Sequence, residues 1–148
     1  MSSRDRVRAA WIGDVAYRPE GWEWSKFDQD TELLVDATAF RSWPVPPARG
    51  SLRWVIFLLT TDWLGAGPDP VLAARSAAAV GLTHSLAALW AGIGTTVNAI
   101  AVPRRSNLVT SADVAHALRY FADPLNGYVT GQVLNICGGQ TLVAALTA

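Results

Sequence analysis

From Ser76 to Pro103 the chain carries no aspartate, glutamate, lysine or arginine. A stretch of that length without a formal charge either crosses a bilayer as one helix or lies buried inside a protein in shorter pieces. The residues favour the second. Gly92 and Gly94 interrupt the run, and His84 and Asn98 place polar groups within it. The pattern also switches at Thr95, from an Ala-rich helical spacing to the strand-like Thr-Thr-Val-Asn-Ala-Ile-Ala-Val. The expectation is a buried helix over 70–90, ended by the two glycines, and a buried strand over 95–102. No membrane partner is expected.

Around this pair the chain reads as alternating strands and helices. Residues 52–61 (Leu-Arg-Trp-Val-Ile-Phe-Leu-Leu-Thr-Thr) form a continuous apolar run, as expected of a parallel strand buried on both faces. Residues 6–14 alternate and predict another strand, as do residues 32–40. Between these two, residues 17–31 have no apolar period and read as a loop anchored by Trp22, Trp24 and Phe27. Pro44, Pro46 and Pro47 exclude a regular helix over 41–51 and predict an extended crossover. Ser111 reads as the N-cap of a helix through 122, with Asp113 in its first turn. A last strand follows over 132–137, closed by Gly138-Gly139. The pattern predicts a single α/β domain over 1–148.

Composition excludes several function classes. Half the residues are apolar, 16% are charged and the net charge is zero, so there is no basic stripe for a nucleic acid. One cysteine, Cys137, permits no internal disulfide and no structural zinc set, and no metal site is expected. The N-terminal residues are charged and lack the apolar core of a signal peptide, which points to the cytoplasm. Arginine in excess of lysine, with abundant alanine, suggests a GC-rich bacterial genome.

Three phrases in a fixed order carry a family likeness: Gly81-Leu82-Thr83, then Val97-Asn98-Ala99-Ile100, then Tyr128-Val129-Thr130-Gly131-Gln132-Val133-Leu134, with Gly138-Gly139 after them. In that order they resemble the C-terminal half of the short-chain dehydrogenase/reductase family, and the resemblance covers about the second half of the chain. It implies a reduced Rossmann-like, mostly parallel sheet of about five strands with few covering helices. Those strands would be the family's first, fourth, fifth, sixth and seventh.

The chain departs from the family where the chemistry resides. Members carry a Tyr, and a Lys four residues later, on the helix that ends in the Gly-Leu-Thr phrase. The corresponding positions here are Leu72 and Ser76. Lys26 is the only lysine, and Gly21, Pro124 and Gln132 stand four residues after the three tyrosines, so no Tyr-x-x-x-Lys exists anywhere. Neither Gly-x-x-x-Gly-x-Gly nor Gly-x-Gly-x-x-Gly occurs, and Tyr17, Pro19 and Trp22 place bulk where a pyrophosphate would approach backbone N–H groups. NAD(P) binding is therefore not expected, and no other cofactor is.

The remaining polar candidates are Thr60, Thr61 and Asp62. The family's catalytic Ser position falls on Thr60 or Thr61, and the group sits at a strand's C-terminal end, where α/β sheets place ligands. The same residues would serve equally as a turn and a cap. Arg104 and Arg105 could grip an acidic ligand or remain solvated. His84 and His116 read as packing and surface residues, Cys137 as inert, and Asn98 as structural. The family oligomerises through the long helix and the last strand, which makes Leu82, His84, Leu86, Trp90, Val133 and Leu134 the expected interface. Loss of covering helices should also leave apolar sheet faces bare.

The expected role is a non-catalytic subunit, a pseudoenzyme that assembles with itself or with a full-length short-chain reductase. Two alternatives stay open. One is a cofactor-independent isomerase, cyclase or dehydratase using a pocket around Thr61, Asp62 and Trp22. The other is a residual NAD(P)-dependent ketoreductase.

Overall fold

The computed structural model of the chain describes residues 8–13, 18, 20, 23–25, 30–37, 51–65, 67–104, 109–141 and 143. Strands β1 (Ala9–Gly13), β2 (Trp24–Ser25), β3 (Leu33–Ala37), β4 (Trp54–Thr60), β5 (Thr96–Val102) and β6 (Val133–Asn135) form one sheet in the order β2-β1-β3-β4-β5-β6. Every neighbouring pair runs parallel. Helix α1 (Pro70–Trp90) connects β4 to β5, and helix α2 (Ser111–Phe121) connects β5 to β6. The class is α/β and Rossmann-like, as expected, but the sheet is wholly parallel and gains a sixth, two-residue strand.

That strand corrects the loop expected over 17–31. Trp24 pairs with Ala9 and Ser25 with Ala10. The Trp24 ring meets Trp11 edge-on, with centroids 5.2 Å apart and planes at 77°, an arrangement that favours aromatic pairs. Tyr17, Pro19, Trp22, Phe27, Pro44, Pro46, Pro47 and Arg105 lie outside the described residues.

The central pair, β4 and β5, is in register from Trp54 opposite Thr96 to Thr60 opposite Val102. The period-2 pleat sends alternate residues of β4 to opposite faces. Trp54, Ile56 and Leu58 join Val114, Leu118 and Phe121 of α2 in one core, while Val55, Phe57 and Leu59 join Ala79, Leu86 and Trp90 of α1 in the other. An uninterrupted apolar run is thus what a strand sandwiched between two helices requires. Burying each large side chain contributes roughly 1.5–3 kcal/mol, so these two layers carry most of the fold.

Helix α1 begins as its sequence dictates. The Asp69 side chain accepts the backbone N–H groups of Val71 and Leu72 at 3.1 and 3.0 Å, and Pro70 occupies the first position, where its missing N–H costs nothing. The helix passes through a 3-10 turn, Ala91–Ile93, and Gly94 closes it with φ of 78°, a left-handed conformation natural to glycine. At α2 the cap is Thr110, not Ser111. Thr110 holds the extended backbone a cap needs, and it exchanges hydrogen bonds with Asp113 in a capping box, leaving Ser111 inside the first turn.

The last strand is shorter than the expected 132–137, although its flanks still bond to β5: the Ala99 N–H donates to the Gln132 carbonyl, the Ile136 N–H to the Ala101 carbonyl, and the Gln132 N–H to the Asn98 side-chain oxygen at 3.0 Å. The Asn98 amide nitrogen in turn donates to the Val129 carbonyl at 2.8 Å. Asn98 is fully buried, and these two bonds fix the 129–132 segment to β5.

The sheet faces are not bare. Leu33, Leu34 and Val35 of β3 and Ala9 and Ala10 of β1 are all buried. Large exposed apolar side chains lie instead on the outer side of α1 and its following turn (Val71, Leu89, Ile93) and in the 120–134 region (Tyr120, Leu125, Tyr128, Leu134). Helix α1, with the 3-10 turn that extends it, is long and apolar enough to cross a membrane by length and composition, yet Ser76, Ala79, Thr83, Leu86, Ala87 and Trp90 line its side against the sheet.

Candidate functional site

Strand β4 delivers Thr60 to the C-terminal edge of the sheet, and the chain then turns through a 3-10 helix, Thr61–Leu64, against which α1 packs. Gly65 closes the turn with φ of 81°, its N–H donating to the Asp62 carbonyl at 2.8 Å. The turn brings three expected residues together and adds a fourth. Thr60 Oγ1 donates to Asp62 Oδ2 at 2.7 Å and lies 3.0 Å from Ser76 Oγ. A threonine hydroxyl has one proton to give. With that proton on the carboxylate, Ser76 must donate to Thr60, so the chain runs from Ser76 through Thr60 to Asp62.

This network is enclosed. Asp62 is 7% exposed, Thr61 5% and Ser76 0%. Gly67 leans on the Asp62 carboxylate so closely that a Cβ there would coincide with Oδ1. Thr61 Oγ1 accepts from Thr141 Oγ1 at 3.0 Å, and Trp63 Nε1 donates to Asn135 Oδ1 at 3.2 Å, so the C-terminal segment bonds to the same turn. Buried polar groups are held at low cost only when they bond to one another, and these do. The sequence gives no sign that Ser76, Gly67 and Thr141 meet this turn. Nothing local signals Thr141, which lies 80 positions from its partner.

The other candidates are dispersed. Leu72 is half-buried beside the Asp69 cap and offers only hydrocarbon. Arg104 reaches Asp69 at 3.4 Å across an exposed surface. Asp69 itself titrates below the usual carboxylate range, chiefly because the Leu72 N–H bonds to its charged form. His84 and His116 are exposed, and Cys137 is a buried free thiol. Among the described residues no three His, Cys, Asp or Glu side chains gather as a metal site would require.

The expected interface divides in two. Leu86 and Trp90 are buried in the core between α1 and the sheet, because their helical positions face β4 and β5, so they are not available to a second chain. Leu82 and Val133 are half-buried at the border of that core. His84 and Leu134 are exposed.

A parallel sheet in this order, with α1 and α2 on opposite faces, identifies the architecture, and comparison with known structures agrees. The chain superposes on a short-chain dehydrogenase/reductase from Serratia marcescens with a TM-score of 0.60 at 20% identity, covering 76% of this chain and 66% of that one. A double mutant of a Serratia marcescens short-chain dehydrogenase/reductase gives 0.60 at 21% identity over the same shares. The fold is that of a short-chain dehydrogenase/reductase. In sequence, the chain is 33% identical over 113 residues to the (2S)-((R)-hydroxy(phenyl)methyl)succinyl-CoA dehydrogenase subunit BbsD of Thauera aromatica. That match takes in 61% of this chain and 45% of BbsD, so the chain spans less than half the length of this curated relative. No family model matches.

Proposed function

We propose that the chain is a non-catalytic, short-chain dehydrogenase/reductase-like subunit that assembles in the cytoplasm with copies of itself or with an active reductase paralogue. The outer side of α1 carries this reading. Val71, Leu89 and, in the following 3-10 turn, Ile93 are 59%, 70% and 59% exposed. Arg75 is the only charged residue in the helix, and beyond it only His84 and Ser85 place polar side chains on this face. A helix that is apolar all round is normally covered all round. The likeness to BbsD, named as the subunit of a dehydrogenase, supports the same reading.

The non-catalytic part rests on what fills the reactive positions. The family's reduction uses a phenol as acid, its pKa lowered by an ammonium group beside it, and a nicotinamide as hydride source. Leu72 holds no proton, and the Ser76 hydroxyl is enclosed and bonded to Thr60. The residues present do not fit a bound nicotinamide in working position, and we assign the chain no cofactor. A cofactor-independent enzyme built on Thr61 and Asp62 draws less support, because both side chains are buried and bonded within the turn.

The test is purification of tagged protein from its native host, with mass and stoichiometry of whatever accompanies it. A full-length reductase in fixed ratio supports the hetero-assembly, and a defined homo-oligomer supports the self-assembly. A monomer that binds NADPH saturably would overturn the proposal.

A further inference from the structure

The sheet carries a cleft at the end opposite the Thr60–Asp62 turn. This cleft, of about 480 Å³, opens where β4 and β5 begin, lined by Glu32, Ser51, Arg53, Trp54, Ile93 and Thr96 among others. Its volume falls in the range of small-molecule sites, about 300–1,000 Å³. Nothing in the subunit reading uses this end of the sheet.

Three groups in the cleft have bonding capacity left over. Thr96 is 6% exposed, and among the described residues its Oγ1 is the buried side-chain oxygen or nitrogen that has no hydrogen-bond partner. Its neighbour Thr95 shows the usual outcome, with Oγ1 donating to the Leu52 carbonyl at 2.8 Å. A buried hydroxyl without a partner is a standing cost that packing alone does not explain. Arg53 is exposed, its guanidinium 6.0 Å from the Trp54 ring centroid, and it makes no ion pair among the described residues. The Glu32 carboxylate accepts the Arg8 backbone N–H at 3.1 Å through Oε2, and among the described residues Oε1 takes no hydrogen bond.

We propose that this cleft binds a small hydroxylated molecule carrying one anionic group, a carboxylate or a phosphate. The anion pairs with the Arg53 guanidinium, whose fork suits either oxyanion. Glu32 repels a second anionic group and accepts a ligand hydroxyl. Thr96 turns its Oγ1 into the cleft by passing between staggered rotamers, and so gains the partner it lacks.

The experiment is a 1H–15N NMR titration of the whole chain with three probes: glycerol 3-phosphate, glycerate, and uncharged glycerol as control. Saturable shifts at the amides of Ser51, Arg53, Thr96 and Gly127 are expected with at least one anion, and the tighter anion assigns the ligand class. Arg53→Gln should weaken that anion about tenfold or more, the usual scale for one charge-assisted contact. Thr96→Val should weaken it severalfold and leave the melting temperature unchanged or higher, because a hydroxyl without a partner stabilises nothing. Failure of all three probes to saturate at millimolar concentration overturns the proposal. So does equal binding of glycerol, indifference to Arg53→Gln, or a lowered melting temperature in Thr96→Val, which would give the hydroxyl a structural partner.

Discussion

Gly67 decides the geometry of the Thr60–Asp62 turn by having no side chain. Its Cα stands where a methyl group would coincide with the Asp62 carboxylate, so Gly67→Ala must displace that carboxylate and break its bond to Thr60. Thermal or urea unfolding should show Gly67→Ala destabilised by about 1–3 kcal/mol, the usual scale of overpacking. The same substitution in an Asp62→Ala background should cost clearly less, and equal costs in both backgrounds would disprove the contact. Asp113 supports a second prediction. Its carboxyl lies below the ordinary range, first because the Thr110 backbone N–H bonds to the charged form. A depressed folded value means the stabilisation is complete above the unfolded pKa, about 3.9, and fades as pH falls through the folded one. Asp113→Asn should therefore be less stable than wild type at pH 7, with the gap closing as pH falls below 4 in parallel unfolding curves.

At the scale of elements, α2 is held by its inner face. Leu118 is fully buried against β4 and β5, and Leu118→Ala should cost about 2–5 kcal/mol in equilibrium unfolding, against little for the exposed His116→Ala. These elements were legible in the sequence. Asp69-Pro70 marks the start of α1 and the glycine pair its end, β4 is an unbroken apolar run, and β5 shows as a strand-like pattern broken only at Asn98. Length and context decide the rest. β2 is two residues long and owes its pairing to Trp11 and Ala9 across the sheet, which no local period reveals. At α2 both Thr110 and Ser111 are good caps, and only Asp113, three residues after Thr110, selects the first. The site was half legible. Thr60, Thr61 and Asp62 are marked by the family's Ser position and by their place after a strand, but Ser76 and Thr141 reach them through the fold. The division of the α1 residues, with Leu86 and Trp90 facing inward, needed the helix phase against the sheet.

At the scale of the whole molecule, a chain whose central helix is apolar on both sides should not remain a monomer. Light scattering on the purified chain should give a multiple of the 15.8 kDa protomer mass. Leu89→Glu, which places a charge on the exposed side without touching either core, should shift that mass towards the protomer while leaving the far-UV spectrum unchanged. An unchanged assembly would mean that α1 is not the contact.

The outer face of α1 also bears on dosage. A protomer that reaches its full stability only when that face is covered has a melting temperature that climbs with its own concentration, or with its partner's. Copies made in excess of what they pair with sit nearer to unfolding and are the first that quality control removes. Abundance of the chain would then follow abundance of its partner, even with synthesis held constant.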